Sequence, residues 1–143
     1  MKAIAIMIIA ISSFSTTALA RQVNQQLGPG YSCALYDSAP KSFEIYRAYF
    51  TGIQHDQYKM PQSGRLVVDN LNWPTKTFVD ETARVRINTL FVTAITPRLR
   101  LRIYLPNTNG ISQASGATND GLVLKGHCRY MKNVERVLYL FAL

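Results

Sequence analysis

The chain has 143 residues with 16 basic against 8 acidic side chains, a formal net charge of +8. Such a length suits one domain with one modest core, and the cationic surplus favours anionic partners. No stretch approaches the roughly 20 apolar residues of a bilayer-spanning helix, so no membrane anchor is expected.

At the start, Lys2, the apolar run Ala3 to Ile11 and the small-residue pattern Ala18-Leu19-Ala20 make residues 1–20 a signal peptide, with cleavage expected before Arg21. Secretion is the expected destination. Loss of Lys2 leaves the mature chain with 15 basic and 8 acidic side chains, a net +7. Cys33 and Cys128 are the only cysteines, and an even count in an exported chain reads as one disulfide. With no Cys/His cluster and no Asn-x-Ser/Thr sequon, neither metal nor N-glycan is expected, and no cofactor motif occurs.

Residues 21–30 are polar and end in Gly28-Pro29-Gly30, which suits a flexible leader. Phe43, Ile45, Tyr46, Tyr49, Phe50 and Ile53 then fall at three- and four-residue spacing behind Pro40, which predicts a helix over Lys41 to Ile53. Strands follow near Arg65 to Val68, Thr75 to Val79, Arg84 to Ile87, Leu90 to Ile95, Arg98 to Leu105, Gly110 to Ala114 and Leu122 to Cys128. Pro106 to Gly110 is a turn signal, and Ser112 to Gly121 reads as a polar loop. Val134, Val137, Leu138, Leu140 and Phe141 fit one face of a short final helix, and a strand is the alternative. The expected class is α+β, one helix packed on an antiparallel sheet.

The clearest chemical signal is Arg98-Leu99-Arg100-Leu101-Arg102-Ile103, whose alternation puts three guanidinium groups on one face of a strand and three aliphatic groups on the other. Arg84-Val85-Arg86-Ile87 repeats it, so neighbouring strands would present Arg84, Arg86, Arg98, Arg100 and Arg102 as one patch. Such a row can track a nucleic-acid backbone or an anionic lipid face; its plainer role is a solvated strand face that resists edge aggregation. Trp73, Tyr58 and Tyr104 are candidates to stack on bases, or core residues. His55 and His127 could serve acid/base chemistry, although His127, beside Cys128, reads better as a structural surface residue. No nucleophile elbow or phosphate-cradling glycine loop occurs.

Tyr31-Ser32-Cys33 soon after the leader, with a lone second cysteine near the carboxyl end, resembles the Y/F/W-x-C secreted effectors of powdery mildew fungi. The resemblance implies the fold of the small fungal guanyl-preferring ribonucleases over residues 31–128, with 129–143 as an extension. It places Thr75, within Trp73-Pro74-Thr75, where those enzymes carry a histidine. Arg102 falls at their catalytic arginine and Ala117 at their second histidine, while Leu90 to Ile95 holds no acid to serve as their glutamate; pairing Asn72-Trp73-Pro74 with their Glu-Trp-Pro also replaces the glutamate. It therefore implies a degenerate, non-catalytic ribonuclease-like domain that binds host RNA, ribonucleoprotein or host protein through the arginine face. Such an effector promotes virulence, is in some cases translocated into the host cell, and is detected in resistant plants by an immune receptor. An active secreted ribonuclease or cytotoxin is the alternative, and a basic membrane- or wall-associated protein using the apolar tail Val137 to Leu143 is a third.

Overall fold

A computed structural model describes residues 20–39, 44–72, 74–106 and 109–141; most of the expected signal peptide and Trp73 lie outside them. Eight antiparallel strands form a closed barrel in sequence order: β1 (Ala20–Asp37), β2 (Ile45–His55), β3 (Pro61–Asn70), β4 (Lys76–Ile87), β5 (Phe91–Ile95), β6 (Leu99–Tyr104), β7 (Ile111–Thr118) and β8 (Val123–Phe141). There is no helix among the described residues, so the chain is all-β and not α+β. That also removes the ribonuclease-like fold expected for residues 31–128.

The helix expected over residues 41–53 is strand β2 where it is described. Tyr46, Ala48 and Phe50 point into the barrel, while Tyr49 and Thr51 on the outer face are also buried. A strand covered on both sides loses the alternation that marks a half-exposed one, and its apolar positions then mimic helical spacing. The expected loop over residues 112–121 covers all but the first residue of β7. Its inward residues Ser112, Ala114 and Gly116 are small, and a Cβ at Gly116 would already touch Leu99 and Leu124. Large neighbours fill that layer, so the expected strand Gly110 to Ala114 marks only the first half of β7 and the second half carries no hydrophobic signal of its own.

The inside is packed solid. Leu35, Phe50, Leu66, Val68, Val79, Leu99, Leu101 and Leu124 are all essentially inaccessible, as a small barrel filled by side chains requires. Cys33 and Cys128 face each other across β1 and β8 and form the expected disulfide. The bond staples the seam that closes the barrel. On the chain-entropy account, closing a loop of 95 residues stabilises by about 4 to 5 kcal/mol.

β1 and β8 outrun the barrel, at 18 and 19 residues. Their outer halves form a two-stranded ribbon that pairs Arg21 with Leu140 and Gln25 with Arg136. Residues 21–30 are therefore strand and hinge instead of a leader, and the described part of 129–141 is strand instead of helix. The ribbon bends through register shifts around Gly28 and Gly30. Gly28 has φ +80°, and a Cβ on Gly30 would collide with the Phe50 carbonyl oxygen.

Beyond the bend the ribbon lies on the outside of β2 to β4. Val134 and Leu27 pack on Tyr49 and Val67. Arg136, itself buried, makes two 2.8 Å hydrogen bonds to the buried Asp69 carboxylate, and further bonds to Thr77 Oγ1 (2.8 Å) and Gln25 Oε1 (3.1 Å). The ribbon tip is pinned where the Thr75 N–H donates to the Tyr139 carbonyl at 2.8 Å and the Tyr139 N–H donates to Thr75 Oγ1 at 3.1 Å. Thr75 is thus a docking residue for the ribbon.

Candidate nucleic-acid interface

On the opposite flank the outer surface is uncovered. Strand register places Arg86 beside Thr93, Thr93 beside Arg102, Arg102 beside Ser115, and Ser115 beside Lys125. One row nearer the β5–β6 turn, Arg84 lies beside Ile95, and Ile95 beside Arg100. The two arginine-bearing strands are therefore not neighbours; β5 lies between them and holds Arg84, Arg86, Arg100 and Arg102 around its own outward residues. All four are exposed, and none makes an ion pair among the described residues.

Arg98 departs from this group. It precedes β6, where its guanidinium pairs with Glu81 at 3.1 Å and donates to the Phe78 carbonyl at 3.3 Å. Alternation assigned it correctly to the outer side, but the turn directs it along the barrel end toward β4. One Glu81 carboxylate oxygen is buried with no hydrogen-bond partner, and Arg98 lies over the other.

Arg86, Arg100 and Arg102 edge a groove of about 580 Å³ whose apolar lining includes Phe91, Ile95 and Val123, and Arg84 stands outside it on the same face. Arg102 lies over the Phe91 ring at 4.1 Å from its centroid, and Phe91 meets Tyr104 edge-on at 5.6 Å. The cation–π contact orients the guanidinium without neutralising it. A second groove of about 330 Å³ adjoins it through Ser115 and is lined by Tyr36, Tyr104, Gln113, Lys125 and His127. No carboxylate lines either groove. Cations and rings thus share the outer surface from β4 round to β1.

Among the expected aromatics, Tyr104 belongs to this surface, Tyr58 is exposed on the β2–β3 turn, and Trp73 is outside the described residues. Lys125, Tyr36 and Phe91 were not singled out by sequence; strand register alone brings them to the arginines. His127 lies in the second groove, paired across strands with Ala34 and Gln113, whereas His55 ends β2 opposite Pro61. The two histidines are thus placed on different strands and lie in no common groove. Tyr31, the first residue of the Tyr-x-Cys motif, is partly buried against the core and stacks edge-on with Tyr130 at 5.3 Å. Burial pushes its phenol above the ordinary range, with the neighbouring Tyr130 adding to the shift. This gives the motif a packing role: tyrosine plugs the barrel while cysteine closes it.

Among the described residues no group of His, Cys, Asp and Glu could hold a metal. Comparison with family models, with curated proteins and with solved structures finds no match for this chain.

Proposed function

We propose that the protein is a secreted, non-enzymatic effector that binds RNA along the outer face of β4 to β8. The observation that carries this reading is the gathering of Arg86, Arg100 and Arg102 on one groove with Phe91, which meets Tyr104 edge-on, and with Arg84 on the same face, all four arginines exposed and without carboxylate partners among the described residues. Guanidinium forks suit phosphate, and adjacent rings suit unpaired bases, which is the pairing of features that single-stranded nucleic-acid sites use. The disulfide is compatible with an extracellular protein. The ribonuclease scaffold plays no part in the reading, since the barrel replaces it.

The test is fluorescence anisotropy with a labelled single-stranded RNA over a salt series, with gel analysis of the same RNA. The triple variant Arg86→Glu, Arg100→Glu, Arg102→Glu is expected to bind at least about ten-fold more weakly, with the salt slope reduced by about 2. Unchanged binding would remove this face as the site. Cleavage that disappears in His127→Ala would replace the binding reading with an enzymatic one.

A further inference from the structure

The barrel has two rims of different character. One carries the turns 96–98 and 119–122; the other carries the turns 56–60, 88–90 and 105–110, together with the bend of β1 and β8. Among the described residues the four most exposed large apolar side chains, Tyr58 (75%), Leu90 (64%), Leu105 (60%) and Tyr130 (56%), are all on the second rim, with Met60 and Met131 beside them. None is needed for the core, which is filled without them.

Cations accompany these side chains. Lys59 lies between Tyr58 and Met60, and Arg129 and Lys132 flank Tyr130 and Met131. The only acid in the three turns is Asp56, and it is engaged in building its own turn, accepting from the Tyr58 and Met60 N–H groups and the Gln62 amide. Lys59 has φ +62°, a left-handed conformation that glycine or asparagine adopts more cheaply. A lysine kept there at a strain cost points to use of its side chain.

The tips are also held firmly. The Leu105 N–H donates to the Leu90 carbonyl at 2.9 Å, tying two turns together, and Asn88 Oδ1 accepts from the Leu90 N–H at 3.1 Å. Separate apolar and aromatic points, interleaved with lysine and arginine and projecting from one end of a rigid barrel, match the headgroup boundary of a bilayer, where rings and short apolar wedges sit below a layer of anionic charge. The outer wall, with its arginines, and the apolar interior are the reverse of a membrane-spanning barrel, so contact is by the rim alone. We propose that this rim docks onto an anionic phospholipid surface, inserting Tyr58, Leu90 and Leu105 as wedges with Lys59 and Lys132 on the headgroups.

The experiment is flotation of the disulfide-bonded protein with phosphatidylcholine vesicles, with and without phosphatidylserine. Binding is expected to the phosphatidylserine vesicles and to be weak to phosphatidylcholine alone. Tyr58→Ser, Leu90→Ser, Leu105→Ser, checked by an unchanged thermal melt, is expected to lower partitioning by at least about ten-fold, while RNA binding is retained. Lys59→Glu with Lys132→Glu should lower it by about five-fold or more per residue, on the anionic vesicles only. Failure to bind either vesicle would overturn the proposal. So would anionic binding that the serine variant leaves intact, or concentration-dependent self-association that the serine variant abolishes, which would make the rim a contact between copies.

Discussion

Strand β4 crosses two surfaces of opposite kind. Along its first half Thr77 and Asp80 belong to a wall where two arginines are matched: Arg136 by Asp69, and Arg65 by Asp80. Along its second half Arg84 and Arg86 stand in solvent, with no carboxylate in the adjoining grooves. The same residue type thus does two jobs within one strand's length. A guanidinium enclosed with a carboxylate, a hydroxyl and an amide fixes the ribbon, whereas one left unpaired keeps its charge for something outside the chain.

The contrast is broken most severely at Arg136. Arg136→Ala leaves Asp69 buried and unpaired, and is expected to cost about 3 to 5 kcal/mol in denaturant unfolding. The double variant Arg136→Leu, Asp69→Leu should recover much of that loss; no recovery would mean that the ribbon is held mainly by packing on Tyr49 and Val67. A smaller effect is expected at the tip, where Thr75→Val removes the hydroxyl that accepts from Tyr139 and should cost about 1 kcal/mol. Faster hydrogen exchange confined to residues 20–27 and 134–141 would show that the ribbon opens separately from the barrel.

Arg65 and Asp80 come next, joined at 2.8 Å but with 46% and 43% of their side chains exposed. The hydrogen bonds from Arg65 hold the Asp80 carboxyl below its ordinary value of 3.8. Folding therefore favours the carboxylate, and the contribution is fully present above about pH 4 and lost as pH falls through the lower folded value. Solvent screening keeps it under about 1 kcal/mol, so Asp80→Asn should lower stability slightly at pH 7 and lose its effect in acid. The least effect on stability belongs to the open wall: Arg86→Ala and Arg102→Ala should each shift unfolding by no more than about 0.5 kcal/mol. A large loss at Arg86 would show that it is structural after all.

Much of the sheet was legible. Alternation from Arg98 to Ile103 identified β6 and the side its arginines take, and the β-rich runs after residue 60 correspond to β3 to β6, the first half of β7 and the start of β8. The failures share a physical cause. β2 is buried on both faces, and the second half of β7 is built of small residues, so neither shows the period that a half-exposed strand must. The ribbon was illegible because its partner surface is distant in sequence, and nothing local in Gln22 to Gln26 announces a strand. The arginine face was legible in composition but not in assembly, since the insertion of β5 between β4 and β6 is a property of topology.

The disulfide joins the first strand to the last, and every other strand pair joins neighbours in sequence. Six hairpin-like pairings can therefore form as the polypeptide emerges, but the two that involve β8 have to wait until residues 123–141 exist. Until then β1 and β7 are open edges, ready to pair with another molecule, and the distance between the two halves of the seam makes final closure the slow step. A chain cut short before β8 is accordingly expected to aggregate instead of giving a smaller soluble domain, and Cys33, left without Cys128, would be available to cross-link such aggregates.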